Sequence, residues 1–120
     1  MIKTHGLTHL NLEVADPDRS LDFYQALFGV REYFRDDNSI QVLGPGEKDV
    51  IAFVKSGRAG KEGGISHFGF RLTRPEDIDA AVAEAEKAGG RIKSKGEFAP
   101  GCPYLYVLDP DGYEIEIWYE

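Results

Sequence analysis

The chain has one cysteine, Cys102, so no intrachain disulfide can staple its 120 residues. It lacks any basic run beyond the short KSK at residues 93–95. Its formal charge is −7, with 14 Lys and Arg against 21 Asp and Glu. Such a surface repels polyanions, so neither nucleic acid nor an anionic membrane is expected as a partner. No apolar run approaches the length needed to span a bilayer, and no signal peptide precedes the first strand-like segment. A cytoplasmic location is therefore the expectation. Histidine is scarce too, with His5, His9 and His67 the only three. A chain of this length buries roughly two-thirds of its unfolded surface, enough for one modest core.

What is present is a repeat. Residues 6–17, GLTHLNLEVADP, alternate like a strand, with Thr8, Leu10, Leu12 and Val14 on one face and Leu7, His9, Asn11 and Glu13 on the other. Alone, a histidine on the polar face of a strand is ordinarily a packed or hydrogen-bonded residue. Residues 64–76, GISHFGFRLTRPE, superimpose on the first segment without a gap at a constant offset of 58 residues. Gly6 meets Gly64, His9 meets His67 and Pro17 meets Pro75. The faces repeat as well, with Ser66, Phe68, Phe70 and Leu72 opposite Ile65, His67, Gly69 and Arg71. Two histidines thus hold the same place in two copies of one unit, while His5 reads as an exposed N-terminal residue.

Each copy has the same order of elements. Asp16 and Pro17 make a helix start, Leu21, Tyr24 and Phe28 share a helical face, and Gly29 suits the end. In the second copy Thr73 and Glu76 have capping-box spacing, and Ile78, Val82 and Ala85 follow at helical intervals before Gly89 and Gly90. Three strand-like runs succeed each helix: VREYFR, SIQVLG and VIAFVK, then RIKSK, YLYVL and YEIEIWY. The expectation is an α+β chain of two βαβββ modules, about residues 5–56 and 64–120. They form a single domain joined by a flexible glycine-rich linker at residues 56–64.

The last strand adds a carboxylate. Tyr113, Ile115, Ile117 and Tyr119 point one way and Glu114, Glu116, Trp118 and Glu120 the other. Two histidines and a carboxylate on polar strand faces have the composition of a facial triad, an open arrangement that suits non-haem Fe(II) and accepts other divalent ions.

With THLNLEVAD, SLDFYQALFGV, SHFGF and the closing YVLDPDGYEIEI in view, nearly the whole chain resembles the vicinal oxygen chelate superfamily. That superfamily holds glyoxalase I, fosfomycin resistance enzymes, extradiol dioxygenases, methylmalonyl-CoA epimerase and bleomycin resistance proteins. The resemblance implies mixed sheets curled into half-barrels around a metal site. It places the metal ligands at His9, His67 and Glu116, and one divalent ion, Fe2+, Mn2+, Ni2+ or Zn2+, in each site. It also implies a small-molecule substrate that chelates through adjacent oxygens, and a homodimer whose sites draw on both chains.

Departures from the family pattern narrow the chemistry. Glyoxalase I resembles a four-ligand system, and the epimerases carry a glutamine at the fourth position. Here Ala52 or Ile51 stands there, and neither ligates; Asp49 is a poor substitute at the strand's start. The spacing of ten residues between Tyr106 and Glu116 is that of an extradiol dioxygenase's tyrosine and glutamate, but the region EFAPGCPY lacks that family's acid-base histidine. Fosfomycin thiol transferases share the three ligands and the tyrosine, yet Asn11 stands where they have threonine, and their polar cation-binding loop is not reproduced. The resemblance therefore implies an extradiol-type dioxygenase or a related lyase or isomerase. A fosfomycin-type transferase and a metal-free drug-binding protein of the bleomycin resistance kind are the alternatives.

Tyr106 either fills the core or works in catalysis beside Glu116. Asn11, Arg71 and Trp118 are the candidate substrate contacts, although Glu13 and Arg71 also suit an ion pair. Cys102 reads as a loop residue, having no base or positive charge beside it to activate a thiolate.

Overall fold

The computed structural model describes residues 1, 3, 9–60, 63, 65 and 67–119. His5, Gly6, Leu7, Thr8, Gly64 and Ser66 of the repeat lie outside these residues. The described elements are β1 (His9–Val14), α1 (Pro17–Phe28), β2 (Arg31–Arg35), β3 (Ser39–Leu43), β4 (Val50–Lys55) and β5 (Phe68–Arg71), then a 3-10 turn (Pro75–Asp77), α2 (Ile78–Lys87), β6 (Arg91–Ala99), β7 (Cys102–Leu108) and β8 (Glu114–Trp118). They fall into two units, Met1–Ala59 and Gly60–Glu120. Each holds one helix and one open four-stranded sheet, ordered β1-β4-β3-β2 in the first and β5-β8-β7-β6 in the second. In both, the first strand runs parallel to the last and the other pairings are antiparallel. The chain has the α+β architecture of paired βαβββ modules that its sequence predicts.

In the first unit, local chemistry fixes the helix ends. Asp16 Oδ1 accepts from the backbone N–H of Asp18 and Arg19, Pro17 opens α1, and Gly29 closes it in the left-handed region with φ 65°. Leu21, Phe23 and Tyr24 of α1 are buried, and the Tyr24 ring lies 5.0 Å from that of Phe53 on β4. Leu12, Val14, Ile40, Val42 and Ile51 complete that core. Each such large apolar side chain removed from water contributes about 1.5–3 kcal/mol.

The second unit is built alike around Ile78, Ala85, Leu105, Val107, Ile115 and Ile117. Its helix begins differently from the capping box predicted at Thr73 and Glu76. The first helical turn is 3-10 and starts at Pro75, its cap position is Arg74, and no side-chain cap bond forms. Arg74 instead reaches forward to Asp77. Strand β6 runs to Ala99, well beyond the predicted RIKSK, because β7 supplies a pairing partner along its whole length, with two bulges. The β7–β8 turn is held by buried Asp109, whose Oδ1 accepts from the N–H of Asp111 and Tyr113 at 2.9 Å each.

The predicted linker starts as an ordered turn: Arg58 N–H donates to Ser56 Oγ, and its guanidinium pairs with Glu13 at 2.8 Å. Among the described residues no helix is long and apolar enough to cross a membrane.

Register carries the repeat into the strands. In the first sheet Asn11 pairs with Ala52 and Ala52 with Gln41; in the second Gly69 pairs with Glu116 and Glu116 with Tyr106. Asn11 and Gly69 are equivalent at the repeat's offset, so Ala52 occupies the place of Glu116 and Gln41 that of Tyr106.

Candidate metal and substrate site

Within the second unit, three of the predicted residues meet. Glu116 stands in the middle of β8 with its side chain on the polar face, between Tyr106 of β7 and the residues that lead into β5. Tyr106 Oη donates to Glu116 Oε1 at 2.6 Å. Glu116 Oε2 faces His67 Nε2 at 3.7 Å, and the His67 ring packs edge-on against Tyr106 with centroids 5.3 Å apart. One carboxylate oxygen is therefore anchored and the other is turned toward an imidazole.

Glycine makes room for this. A Cβ on Gly69 would stand 3.0 Å from the backbone oxygen of Glu116, crowding it, and in ordinary contact with Oε2 at 3.6 Å. The neighbouring Glu114 is differently employed, since Lys93 Nζ bonds its carboxylate. Of the two polar-face glutamates within β8, Glu116 is the one oriented toward a histidine.

The hydrogen bond to Glu116, together with desolvation, pushes the Tyr106 hydroxyl up to about 12. The phenol is therefore protonated at neutral pH and serves as a donor, not as a base.

The donor chemistry of His67 and Glu116 fits a divalent ion. Ligand atoms each about 2.1 Å from one ion stand roughly 3–3.5 Å apart, so a small rotation of the imidazole brings the pair into range. Within either unit taken by itself, among the described residues, no three His, Cys, Asp and Glu side chains gather into a metal site.

His9, the predicted third ligand, opens β1 in the first unit and pairs with Val50. With Asn11, Gln41, Val50 and Ala52 it lines a concavity of about 230 Å³. The small Ala52 side chain leaves this space, and no carboxylate stands where the second sheet has Glu116. Asp49 is folded over Gly44 in the β3–β4 turn, where a Cβ on that glycine would collide with its carboxylate. A larger concavity of about 300 Å³ in this unit includes Asp16, Asp18, Arg35 and Asp36 and none of the predicted site residues. There Arg35 is paired with Asp18 and Glu32.

Two features escape the sequence reading. Tyr33 Oη donates to Gln41 Oε1 at 2.6 Å, so Gln41, in the place of Tyr106, is bonded to the edge strand β2. In the second sheet, Arg71 and Trp118 adjoin an aromatic series through Phe98, Tyr104 and Tyr106. The available signal was three aromatics, Phe98, Tyr104 and Tyr106, close to Gly96 in a short stretch. Glu13, expected opposite Arg71, pairs with Arg58 within its own unit. Cys102 is half-buried at the start of β7, opposite Ala99.

A sequence model of the Glyoxalase/Bleomycin resistance protein/Dioxygenase superfamily matches residues 6–117. The chain is 28% identical over 115 residues to a metapyrocatechase of Geobacillus stearothermophilus, covering 95% of itself but only 34% of that enzyme, about a third of its length. It is 28% identical over 127 residues to a probable lactoylglutathione lyase of Vibrio cholerae, covering 97% of itself and 91% of the lyase. It is 30% identical over 117 residues to the glutathione transferase FosA of Serratia marcescens, covering 93% and 79%. In fold it is similar to the E126Q mutant of the fosfomycin resistance protein FosX of Listeria monocytogenes, with a TM-score of 0.82 at 21% identity over 96% of this chain and 90% of that one. That protein is complexed with Mn(II) and 1S,2S-dihydroxypropylphosphonic acid.

Proposed function

Because the chain belongs to the Glyoxalase/Bleomycin resistance protein/Dioxygenase superfamily, we propose that it is a divalent-metal-dependent enzyme acting on a small substrate that chelates through vicinal oxygens. The reading rests on one observation. The Glu116 carboxylate is anchored by Tyr106 at 2.6 Å through one oxygen and offers the other to His67 at 3.7 Å. His67, Glu116 and His9 hold the ion, an open set that leaves positions for substrate. The ion supplies Lewis-acid stabilisation of charge on the substrate oxygens and, if iron, access to dioxygen chemistry.

The chain's own residues do the rest. Tyr106 fixes the orientation of the Glu116 ligand and presents its hydroxyl to whatever oxygen lies beside it. Asn11 brings an amide to the same row of the first sheet as Gln41. Ala52, having no donor, leaves the ligand set at three, which speaks against the lactoylglutathione lyase reaction despite the likeness to such enzymes. The best reading is a ring-opening dioxygenase of the extradiol type, or a related lyase or isomerase. Having no histidine between residues 97 and 106, the chain must move its protons through water or a group on another strand.

The likeness to FosA at 30% identity favours a second reading, thiol transfer to an epoxide such as fosfomycin. Side-by-side assays separate the two. Fe(II)-loaded protein should consume oxygen with at least one catechol, whereas the transferase reading requires Mn(II)-loaded protein to join a thiol to fosfomycin without oxygen uptake. Silence in both, with metal bound, would leave the lyase or isomerase class.

A further inference from the structure

On the polar face of the second sheet, an aromatic series runs outward from His67. Its ring packs on Tyr106 at 5.3 Å, Tyr106 on Tyr104 at 5.5 Å, and Tyr104 on Phe98 at 4.3 Å with planes only 20° apart. Phe98 also meets the edge of Trp118 at 6.3 Å, and the Arg71 guanidinium lies over the indole, 5.8 Å from its centroid.

Backbone chemistry lets this surface form. A Cβ on Gly96 would stand 2.9 Å from Tyr104 Oη and 3.1 Å from two ring carbons, so the Tyr104 ring lies across bare backbone. Tyr104 and Trp118 are cross-strand partners, as are Gly96 and Tyr104, which puts Gly96, Tyr104 and Trp118 in one transverse row. Arg71 pairs with Trp118 and extends the row on β5. This row is two residues, about 7 Å along the strands, from the row that holds Glu116 and Tyr106.

The stack is not core. Phe98 is 55% exposed and Arg71 is exposed too. A large exposed ring held parallel to a second ring, next to an indole under a guanidinium, offers flat π faces together with positive charge.

We propose that Phe98, Tyr104, Trp118 and Arg71 form a binding site for a planar aromatic anion. The ring stacks along the Phe98–Tyr104–Trp118 surface, and the carboxylate or similar group sits toward Arg71, away from Glu116. That this ligand is also the enzyme's substrate rests on the metal-site reading above; binding to the aromatic surface does not, and requires no metal.

Trp118 is the chain's only tryptophan, so one indole N–H resonance reports on this site. The experiment titrates chelator-treated, 15N-labelled full-length protein with benzoate, with benzamide as the neutral isostere and with cyclohexanecarboxylate as the non-planar anion. Benzoate should shift the Trp118 indole resonance saturably, and both analogues should bind about tenfold more weakly. Arg71→Gln should abolish the preference for benzoate over benzamide. Phe98→Ala, which alters an exposed side chain, should weaken benzoate about tenfold while leaving the remaining amide spectrum in place.

No saturable shift with benzoate, or equal binding of cyclohexanecarboxylate, would overturn the proposal, as would an Arg71→Gln variant that keeps the preference. Metal content measured on the same preparation keeps the two readings apart. Protein that binds benzoate but takes up no metal retains this site and loses the enzyme reading; protein that binds metal but not benzoate does the reverse.

Discussion

Tyr106 Oη and Glu116 Oε1 are 2.6 Å apart, joined across neighbouring strands β7 and β8 at directly paired positions. A bond of this kind to a metal-binding carboxylate fixes its orientation, and such partners are typically worth about 10–100-fold in metal affinity or activity. Tyr106→Phe should leave the chain folded and its metal bound, slow turnover, and weaken metal affinity about tenfold in a competition titration.

The same bond sets the tyrosine's titration. Because the protonated phenol donates to the carboxylate, the folded state raises its pKa to about 12. A raised folded-state value means that the stabilisation is fully present below the ordinary tyrosine range and is lost as pH rises through about 12. In metal-free protein, absorbance titration of the phenolates should show one group ionising near that upper limit. Glu116→Gln should return it toward the ordinary value.

Much of the fold was legible because strand faces and helix starts are local. The ungapped repeat placed His9 and His67 in equivalent positions, and the alternation along β1, β3, β7 and β8 agrees with the buried sets. The βαβββ order followed from those elements, and the glyoxalase-type architecture from the family resemblance. The capping box at Thr73 did not form, since Pro75 starts a 3-10 turn that alters the entry to α2. Strand β6 was read too short because Gly96, Glu97 and Ala99 have little intrinsic preference for a strand; pairing with β7 overrides that.

The hidden parts of the site are those that depend on pairing between strands. Gln41 is equivalent to Tyr106 only through sheet register, because unequal turns shift the two copies out of a constant offset after their helices. The stacking of Phe98 on Tyr104 likewise needs the bulge near Glu97 and the bare backbone of Gly96. Neither is visible in a linear pattern.

Gly69 tests the packing around the carboxylate. Adding a side chain there forces Glu116 to give by a few tenths of an ångström, the nearest contact being its backbone oxygen at 3.0 Å. Gly69→Val should reduce metal affinity by at least about tenfold. Gly57→Ala, at a glycine with open space around it, should leave affinity unchanged. Equal metal binding in wild type and Gly69→Val would show that the placement of Glu116 is not limited by β5.

His9 belongs to the first unit, His67 and Glu116 to the second; on the proposed metal-site reading, a homodimer would assemble each site from two chains. Mixing His9→Ala with Glu116→Ala chains should then rebuild one intact site in each heterodimer. Metal uptake by the verified heterodimer, with none by either parent, is the expected result. A monomer at micromolar concentration, or a heterodimer without metal, would assign the site to a single chain.

Metal content is the most direct test of the central claim. Protein purified without chelator and measured by inductively coupled plasma mass spectrometry should contain about one divalent ion per chain. His67→Ala and Glu116→Ala, each checked for an unchanged circular dichroism spectrum, should lose most of it. A native protein that is metal-free and also fails to take up Fe(II), Mn(II), Ni(II) or Zn(II), or variants that retain a full complement, would contradict the account.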